Sequence, residues 1–364
     1  MTEASLRDVC TPLVTIGMPV RNGEATIVAA IESLLAQTES CFRIHISDNA
    51  STDRTADLCR GLCAKDDRIS YERLPEDIGA VANFNRLLDA ADTEFFMWAA
   101  CDDFWVPEFL ACTLRQLRQE TRAVGCAAGV WMVNGAGGVV QRYGPPVGLA
   151  SGHLTRRVRA ALSLGSGRGG LAVYGLFRRS LLTRECRFPS VWSPDVGFVF
   201  ALGLRHPFTF VDETLLQYRE PDHVETKVQR SARDEYLYER IRARDLYCWL
   251  IQETFRAPLG IAQEVAVCRE LARMARTEWR GRLLSDNLDR VRRDLGLGRY
   301  SRACGGVLMH VVLRPRALLE ASTWERIAAD ARRHVGWHRR RARGDASSQD
   351  YPRTRGAGRR RSGC

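Results

Sequence analysis

The sequence predicts an α/β fold with a mostly parallel sheet, on two observations. Short apolar runs alternate with segments of helical period through the first 120 residues, and several of those runs end in polar loops. Val14 to Val20 reads as a buried strand closed by Arg21-Asn22-Gly23-Glu24. Ile27, Ala30, Ile31, Leu34 and Leu35 then mark one face of a helix. Phe42 to Ser47 alternates as a second strand, followed by the loop Asp48-Asn49-Ala50-Ser51 and a helix with Leu58 and Leu62 on one side. Ile69 to Leu74 is a third strand, Val81 to Ala91 a helix and Glu94 to Ala99 a fourth strand. Pro107, suited to a first helical turn, opens a helix through Gln119.

Between about residues 125 and 170 the pattern loosens into Gly- and Pro-rich sequence. Val173 to Phe177, Phe208 to Val211 and Leu215 to Tyr218 are expected as strands. Beyond Glu225 the chain turns charge-rich and helical, as in Asp234 to Phe255 and Gln263 to Arg280. Three regions are therefore expected: residues 1–224 as the α/β domain, 225–338 as a helical C-terminal region, and 339–364 as a basic disordered tail.

Composition narrows the function class. The chain has 364 residues, enough for one large domain or two modest ones, and 45% of them are hydrophobic. Met1 to Cys10 lacks the apolar stretch of a secretory leader, and no apolar run approaches the roughly 18 residues of a spanning helix. A cytoplasmic protein is expected. The twelve cysteines are scattered without a CxxC pair, which reads as reduced, mostly buried thiols rather than a disulfide scaffold. Of the formal charge of +11, residues 331–364 carry +9, so basicity belongs to the tail and not to the body.

In an open parallel sheet, ligands bind at the carboxyl ends of the strands. Three polar loops fall there: Pro19 to Glu24, Asp48 to Asp53, and Cys101-Asp102-Asp103. The second could serve only as a helix cap through Ser51 or Thr52. The third is harder to account for in that way. Adjacent carboxylates after an apolar strand repel each other unless a cation or hydrogen-bond donors gather there, and a hard divalent ion shared with diphosphate oxygens would satisfy them. An acidic cap for the helix at Pro107 is the alternative.

These strings resemble the family 2 glycosyltransferases of the GT-A fold. The likeness runs in order through Pro19-Val20-Arg21-Asn22-Gly23-Glu24, Ser33-Leu34-Leu35-Ala36-Gln37-Thr38, Ser47 to Thr55, Ile78-Gly79 with Asn83 and Asn85, and Asp102-Asp103 with Trp105 and Pro107. Tyr174 to Ser180 and Leu216 to Arg219 resemble the acceptor half, so it covers about residues 12–220. The resemblance implies a metal-dependent, inverting transfer of a sugar from a nucleotide-diphosphate donor of the UDP, GDP or dTDP type. The acceptor would be a sugar or lipid-linked hydroxyl, in polysaccharide or glycolipid synthesis of a bacterial kind. It places Pro19, Val20, Asn22, Glu24, Asp48, Asn83 and Asp102 around the donor, with Asp102 and Asp103 as the region that holds Mg²⁺ or Mn²⁺. Ala100 stands where many relatives carry a further Asp, and Arg21 where many carry Tyr. Asp195, opening an apolar helix, is the implied general base, with a first-turn helix cap as the other reading. Tyr174 and Trp192 either stack on the acceptor sugar or belong to the core, and His223 is a late metal ligand or phosphate contact, or a surface histidine.

Competing readings are a catalytically inactive nucleotide-sugar-binding or scaffold protein, fed by Ala100, and a nucleotidyltransferase. The latter would show a Gly-rich basic loop after the first strand, of which Arg21-Asn22-Gly23 is a poor version. The Arg-rich tail could touch the anionic inner face of the membrane, bind nucleic acid, or be a solvated segment. No aromatic interleaving or base-reading motif supports nucleic acid.

Overall fold

The computed structural model describes residues 11–135, 137–163, 168–191, 193–219 and 243–277. The chain divides into two compact units, residues 1–247 and 248–364. In the first, β1 (Val14–Val20) runs parallel to β2 (Phe42–Asp48) on one side and β4 (Phe95–Trp98) on the other, with β3 (Ile69–Arg73) beyond β2. Helices α1 (Ile27–Leu35), α2 (Thr55–Cys63) and α3 (Ala80–Ala90) make the connections. Val14, Ile16 and Met18 are fully buried, and so are Thr15 and Gly17 between them, as in a strand covered on both faces. The register sets Val20 opposite Asp48 and Asp48 opposite Arg73, which gathers the first two polar loops at one end of the sheet.

The sheet then continues as a mixed one. Antiparallel to β4 lies β8 (Leu176–Arg178), and antiparallel to β8 lies β6 (Gly125–Val133). β9 (Thr209–Arg219) runs parallel to β6, and β5 (Phe104–Trp105) closes the order antiparallel to β9. β7 (Val139–Tyr143) pairs with β6 alone. The remaining helices of this unit are α4 (Phe109–Gln119), α5 (Leu154–Ala161), the short α6 (Arg168–Leu171) and α7 (Pro194–Arg205).

An aromatic cluster fixes α7 against β4. Phe198 of α7 meets Trp98 edge-on at 5.1 Å and stacks on Phe188 at 4.8 Å, while Trp98 donates its indole N–H to the Phe84 carbonyl at 3.0 Å. Each such pair contributes about 0.5–1.5 kcal/mol beyond area burial. The helix that begins with Pro194-Asp195 is thereby tied to the strand that leads into Asp102-Asp103.

Four expectations need revision. The loosened stretch after residue 125 holds the nine-residue strand β6, whose Gly-Cys-Ala-Ala-Gly opening lacks β-branched residues because its neighbours leave no room. A β-carbon at Gly125 would fall 2.6 Å from the Phe177 ring, and one at Gly129 2.8 Å from the Thr214 hydroxyl. Gly125→Ala is accordingly expected to cost about 1–3 kcal/mol by overpacking, seen as a lower melting temperature; an unchanged melt would mean that Phe177 repacks freely. The strands expected at Phe208 and Leu215 are one, running through exposed Asp212 and Glu213. Val173 and Tyr174, expected as strand, belong instead to a tight 3₁₀ turn, Ala172–Tyr174, before β8. Cys41 is disulfide-bonded, against the all-thiol reading, whereas Cys59, Cys63, Cys101, Cys112, Cys126 and Cys268 carry thiols.

Near the boundary of the units lie α8 (Ala243–Arg256) and, in the second, α9 (Ile261–Thr277), which buries Val267, Cys268, Leu271 and Met274 on one stripe. Among the described residues no helix is long and apolar enough to cross a membrane. Most of the expected helical region 225–338, and all of the tail 339–364, lie outside the described residues, as do Trp192 and His223.

Candidate active site

Loops one and two are laced together by hydrogen bonds. Asn49 N–H donates to the Val20 carbonyl at 2.8 Å, Asn22 N–H to Ser51 Oγ at 2.9 Å, and Gly23 N–H to Thr55 Oγ1 at 2.8 Å. In return Thr52 N–H donates to Asn22 Oδ1 at 2.8 Å and Arg54 N–H to Glu24 Oε2 at 3.0 Å. Asn22 and Ala50 both adopt left-handed backbone, φ 54° and 57°. For a non-glycine residue this costs about 1–3 kcal/mol, held here by the lacing. Asp53 receives the Glu24 N–H, the Thr55 N–H and the Thr55 hydroxyl. Burial alone would raise its carboxyl, but these donors hold it below the usual range.

Beneath this lacing, two of the candidate donor residues are fully committed. Asp48 has no exposed surface: Oδ1 accepts the Ser51 N–H at 2.8 Å and Oδ2 the Tyr71 hydroxyl at 2.7 Å. Burial and this acceptor push the Tyr71 phenol up, so it stays a donor. Asn83 is 1% exposed and binds Ser47 twice, accepting its hydroxyl at 2.6 Å and donating to its carbonyl at 2.9 Å. Both residues brace the loops from within. Arg21 reaches Asp77 at 3.4 Å, and Asp77 also accepts from Asn49 at 2.6 Å and from the Gly79 N–H at 2.9 Å.

The third loop joins the other two at Gly23. A β-carbon there would lie 2.7 Å from Val20 and 3.3 Å from Cys101 Sγ, so glycine lets loop one sit between strand end and third loop. Pro19 is half-buried at that strand end and Val20 is buried. Burial, then the charges of Asp102 and Asp103, push the Cys101 thiol far up, which favours its protonated form.

Asp102 and Asp103 follow. Asp103 is 1% exposed; its Oδ1 accepts the Arg219 N–H at 3.0 Å, while its Oδ2 is buried with no hydrogen-bond partner among the described residues. Burial, then the neighbouring Asp102, raises its carboxyl well above the ordinary carboxylate range, and Arg219 offsets only part of this. Burial raises Asp102 as well. A buried anion with an orphaned oxygen is costly and needs a proton or a cation. Among the described residues no three His, Cys, Asp or Glu side chains cluster as a complete cage. One or two carboxylates completed by phosphate oxygens is the arrangement Mg²⁺-type ions favour, so the residues fit such an ion.

Asp195 is second in α7, after Pro194 and a left-handed Ser193, φ 51°. It is half-buried, and burial raises its carboxyl despite the N–H groups of the first helical turn. Tyr174 is near both Asp195 and the acid pair. Its phenol is pushed well up by burial, then by Asp103, Tyr218, Asp102 and Asp195, so it lies in the field of all three acids. Its ring tilts against Tyr218 at 6.2 Å. The fold thus brings Val20, Cys101, Asp102, Asp103, Tyr174 and Asp195 to one end of the sheet. Sequence reasoning gave no role to Arg219, although it occupies a strand end, the same signal that flagged the other loops.

Residues 15–179 match the family model for Glycosyl transferase family 2. This segment is a family 2 glycosyltransferase domain. An Escherichia coli protein named UDP-Glc:alpha-D-GlcNAc-diphosphoundecaprenol beta-1,3-glucosyltransferase WfaP is 35% identical over 94 residues, 26% of this chain and 37% of its own length. A Haemophilus influenzae protein named only as an uncharacterized glycosyltransferase is 30% identical over 93 residues, 26% of this chain and 37% of its own. The chain therefore spans well under half the length of the curated relatives it matches. In fold it is similar to S. aureus TarS 1–349, crystallised with UDP-GlcNAc, at TM-score 0.58 and 16% identity over 91% of this chain and 92% of that one. The GT-A architecture thus extends past the family 2 domain as matched, to the strand and helix that carry Arg219 and Asp195.

Proposed function

We propose that the protein transfers a sugar from a UDP-sugar to a hydroxyl of a sugar or lipid-linked acceptor, in one inverting displacement. The observation that carries this reading is the Asp102-Asp103 pair, Asp103 buried with its orphaned Oδ2, which acts on the same Tyr174 phenol as Asp195 does. The names of the relatives, one for a UDP-Glc transferase and one for a complex with UDP-GlcNAc, support the donor class and an undecaprenol-type acceptor.

In this reading Asp102 and Asp103 hold a divalent ion, Mg²⁺ or Mn²⁺, which when bound supplies charge neutralisation for the leaving diphosphate. The laced loops one and two shape the nucleotide site: Pro19, Val20, Asn22 and Glu24 line it, while Asp48 and Asn83 brace it. Asp195 takes the proton of the acceptor hydroxyl. That oxygen forms a bond to the anomeric carbon as the bond from this carbon to the diphosphate breaks, and UDP leaves with the electron pair. Because attack and departure are on opposite sides, configuration inverts. Tyr174, whose phenol feels both the acid pair and Asp195, offers a ring on which an acceptor sugar would stack. A raised carboxyl at Asp195 suits a base, since a more basic group accepts a proton more readily.

The test is calorimetric titration with UDP, GDP and dTDP, with and without Mn²⁺, followed by UDP release from UDP-glucose and UDP-GlcNAc. Metal-dependent binding of UDP alone is expected. Ala100, one carboxylate short of many relatives, favours the second reading, an inactive nucleotide-sugar-binding protein. UDP binding without any turnover across acceptors would select it, and no nucleotide binding by folded protein would end both.

A further inference from the structure

One glycine of the site breaks a local rule. Gly170 lies inside the short helix α6, buried, with none of the positive φ that would require glycine. Alanine is the better helix former at such a position. What glycine leaves open is one particular space. A β-carbon at 170 would overlap Asp195 Oδ2 outright and come 3.0 Å from its Cγ and 3.7 Å from its Cβ, so all three nearest atoms belong to Asp195. Elsewhere in the unit the crowded glycines face other groups: Gly175 would meet the Cys126 and Ala172 carbonyls at 2.6 and 3.2 Å. There a side chain would strain backbone. At 170 only the tip of one side chain has to move.

The same turn leads directly into Tyr174, whose phenol feels Asp195. The carboxyl seated on Gly170 thus acts on the same phenol as the acid pair does. Resting on the reading of Asp195 as base, we propose that Gly170 is a positioning residue for it: the missing side chain at 170 is the seat of the Asp195 carboxyl. Any side chain there turns the carboxyl out of the place from which it takes the acceptor's proton. Local departures from propensity with no packing gain of their own are expected at such functional positions.

The experiment combines melting curves with UDP release from UDP-glucose or UDP-GlcNAc, for Gly170→Ala, Asp195→Asn, Asp195→Ala and the double variant Gly170→Ala/Asp195→Ala. Gly170→Ala is expected to lower turnover about a hundredfold, with the UDP dissociation constant and donor KM within about twofold of the parent. Once Asp195 is Ala, adding Gly170→Ala should slow nothing further and should leave the melt equal or higher, because the clash is gone and the helix gains alanine. Should Gly170→Ala alone fail to fold, the double variant must fold; failure of both overturns the proposal. So does near-parental turnover in Gly170→Ala beside an inactive Asp195→Asn, or a double variant slower than Asp195→Ala. Parental turnover in Asp195→Asn instead removes the base assignment itself, and the seat loses its purpose with it.

Discussion

Replacing Asp103 with Asn is expected to give a protein that is more stable without metal and inactive with it. Asn keeps an oxygen for the Arg219 N–H and removes the buried charge beside Asp102. The direction with pH follows from the raised carboxyl. A group whose folded value lies above its unfolded one favours folding at low pH, and that contribution is lost as pH rises through the folded value. In chelator, the parent should therefore weaken more from mildly acid to neutral pH than Asp103→Asn, which keeps only the raised carboxyls of Asp102 and Asp195, and the difference should close below the ordinary carboxylate range. Mn²⁺ should reverse the order by stabilising the parent alone. Metal-dependent UDP binding should vanish in the variant, and turnover should fall at least about a thousandfold, some 4 kcal/mol. A parent whose melting and UDP affinity ignore Mn²⁺ would exclude the acid pair as a metal site.

Asp195→Asn separates binding from chemistry. The amide preserves size and the contact over Gly170 but cannot accept the acceptor's proton. Turnover is expected to fall about 10²–10⁴-fold, or 3–5 kcal/mol, with UDP affinity unchanged. The parent should also lose rate as pH falls through the Asp195 carboxyl, and burial moves that limb above the usual carboxylate range. Asp195→Glu, a carboxylate one methylene longer, should retain more turnover than Asn. A pH–rate profile for the parent that is flat through mild acid would argue against this group as base.

How much could be read beforehand differs along the chain for physical reasons. From β1 to α4 each element carries its own local signal: Val14, Ile16 and Met18 are buried by the strand they define, and α1 shows its face in Ile27, Ile31 and Leu34. β6 hides because Gly125 and Gly129 leave room for Phe177 and Thr214, residues about 50 and 85 positions away. β9 reads as two strands because Asp212 and Glu213 interrupt the apolar run, at a bulge where the register against β6 shifts before pairing resumes at Thr214. The acid pair was legible since two neighbouring carboxylates after an apolar strand are a local anomaly. Its orphaned oxygen was not, because that depends on Arg219, 116 residues on. Nor was the bracing role of Asp48 and Asn83, whose partners Tyr71 and Ser47 become neighbours only when strands pair.

The hydrogen bond from the Arg219 backbone to Asp103 bears on how proteins of this kind could be recombined. The family-matched stretch ends at residue 179, a tempting crossover point for chimeras that exchange the acceptor-facing half between relatives. Yet the incoming half would bring its own final strand against a resident Asp103, and its own helix start against a resident Gly170. A graft that aligned well in sequence could still leave the carboxylate undocked and the base displaced. Crossovers placed after Arg219 would keep both contacts within one parent, so the portable cassette is about forty residues longer than the family's signature.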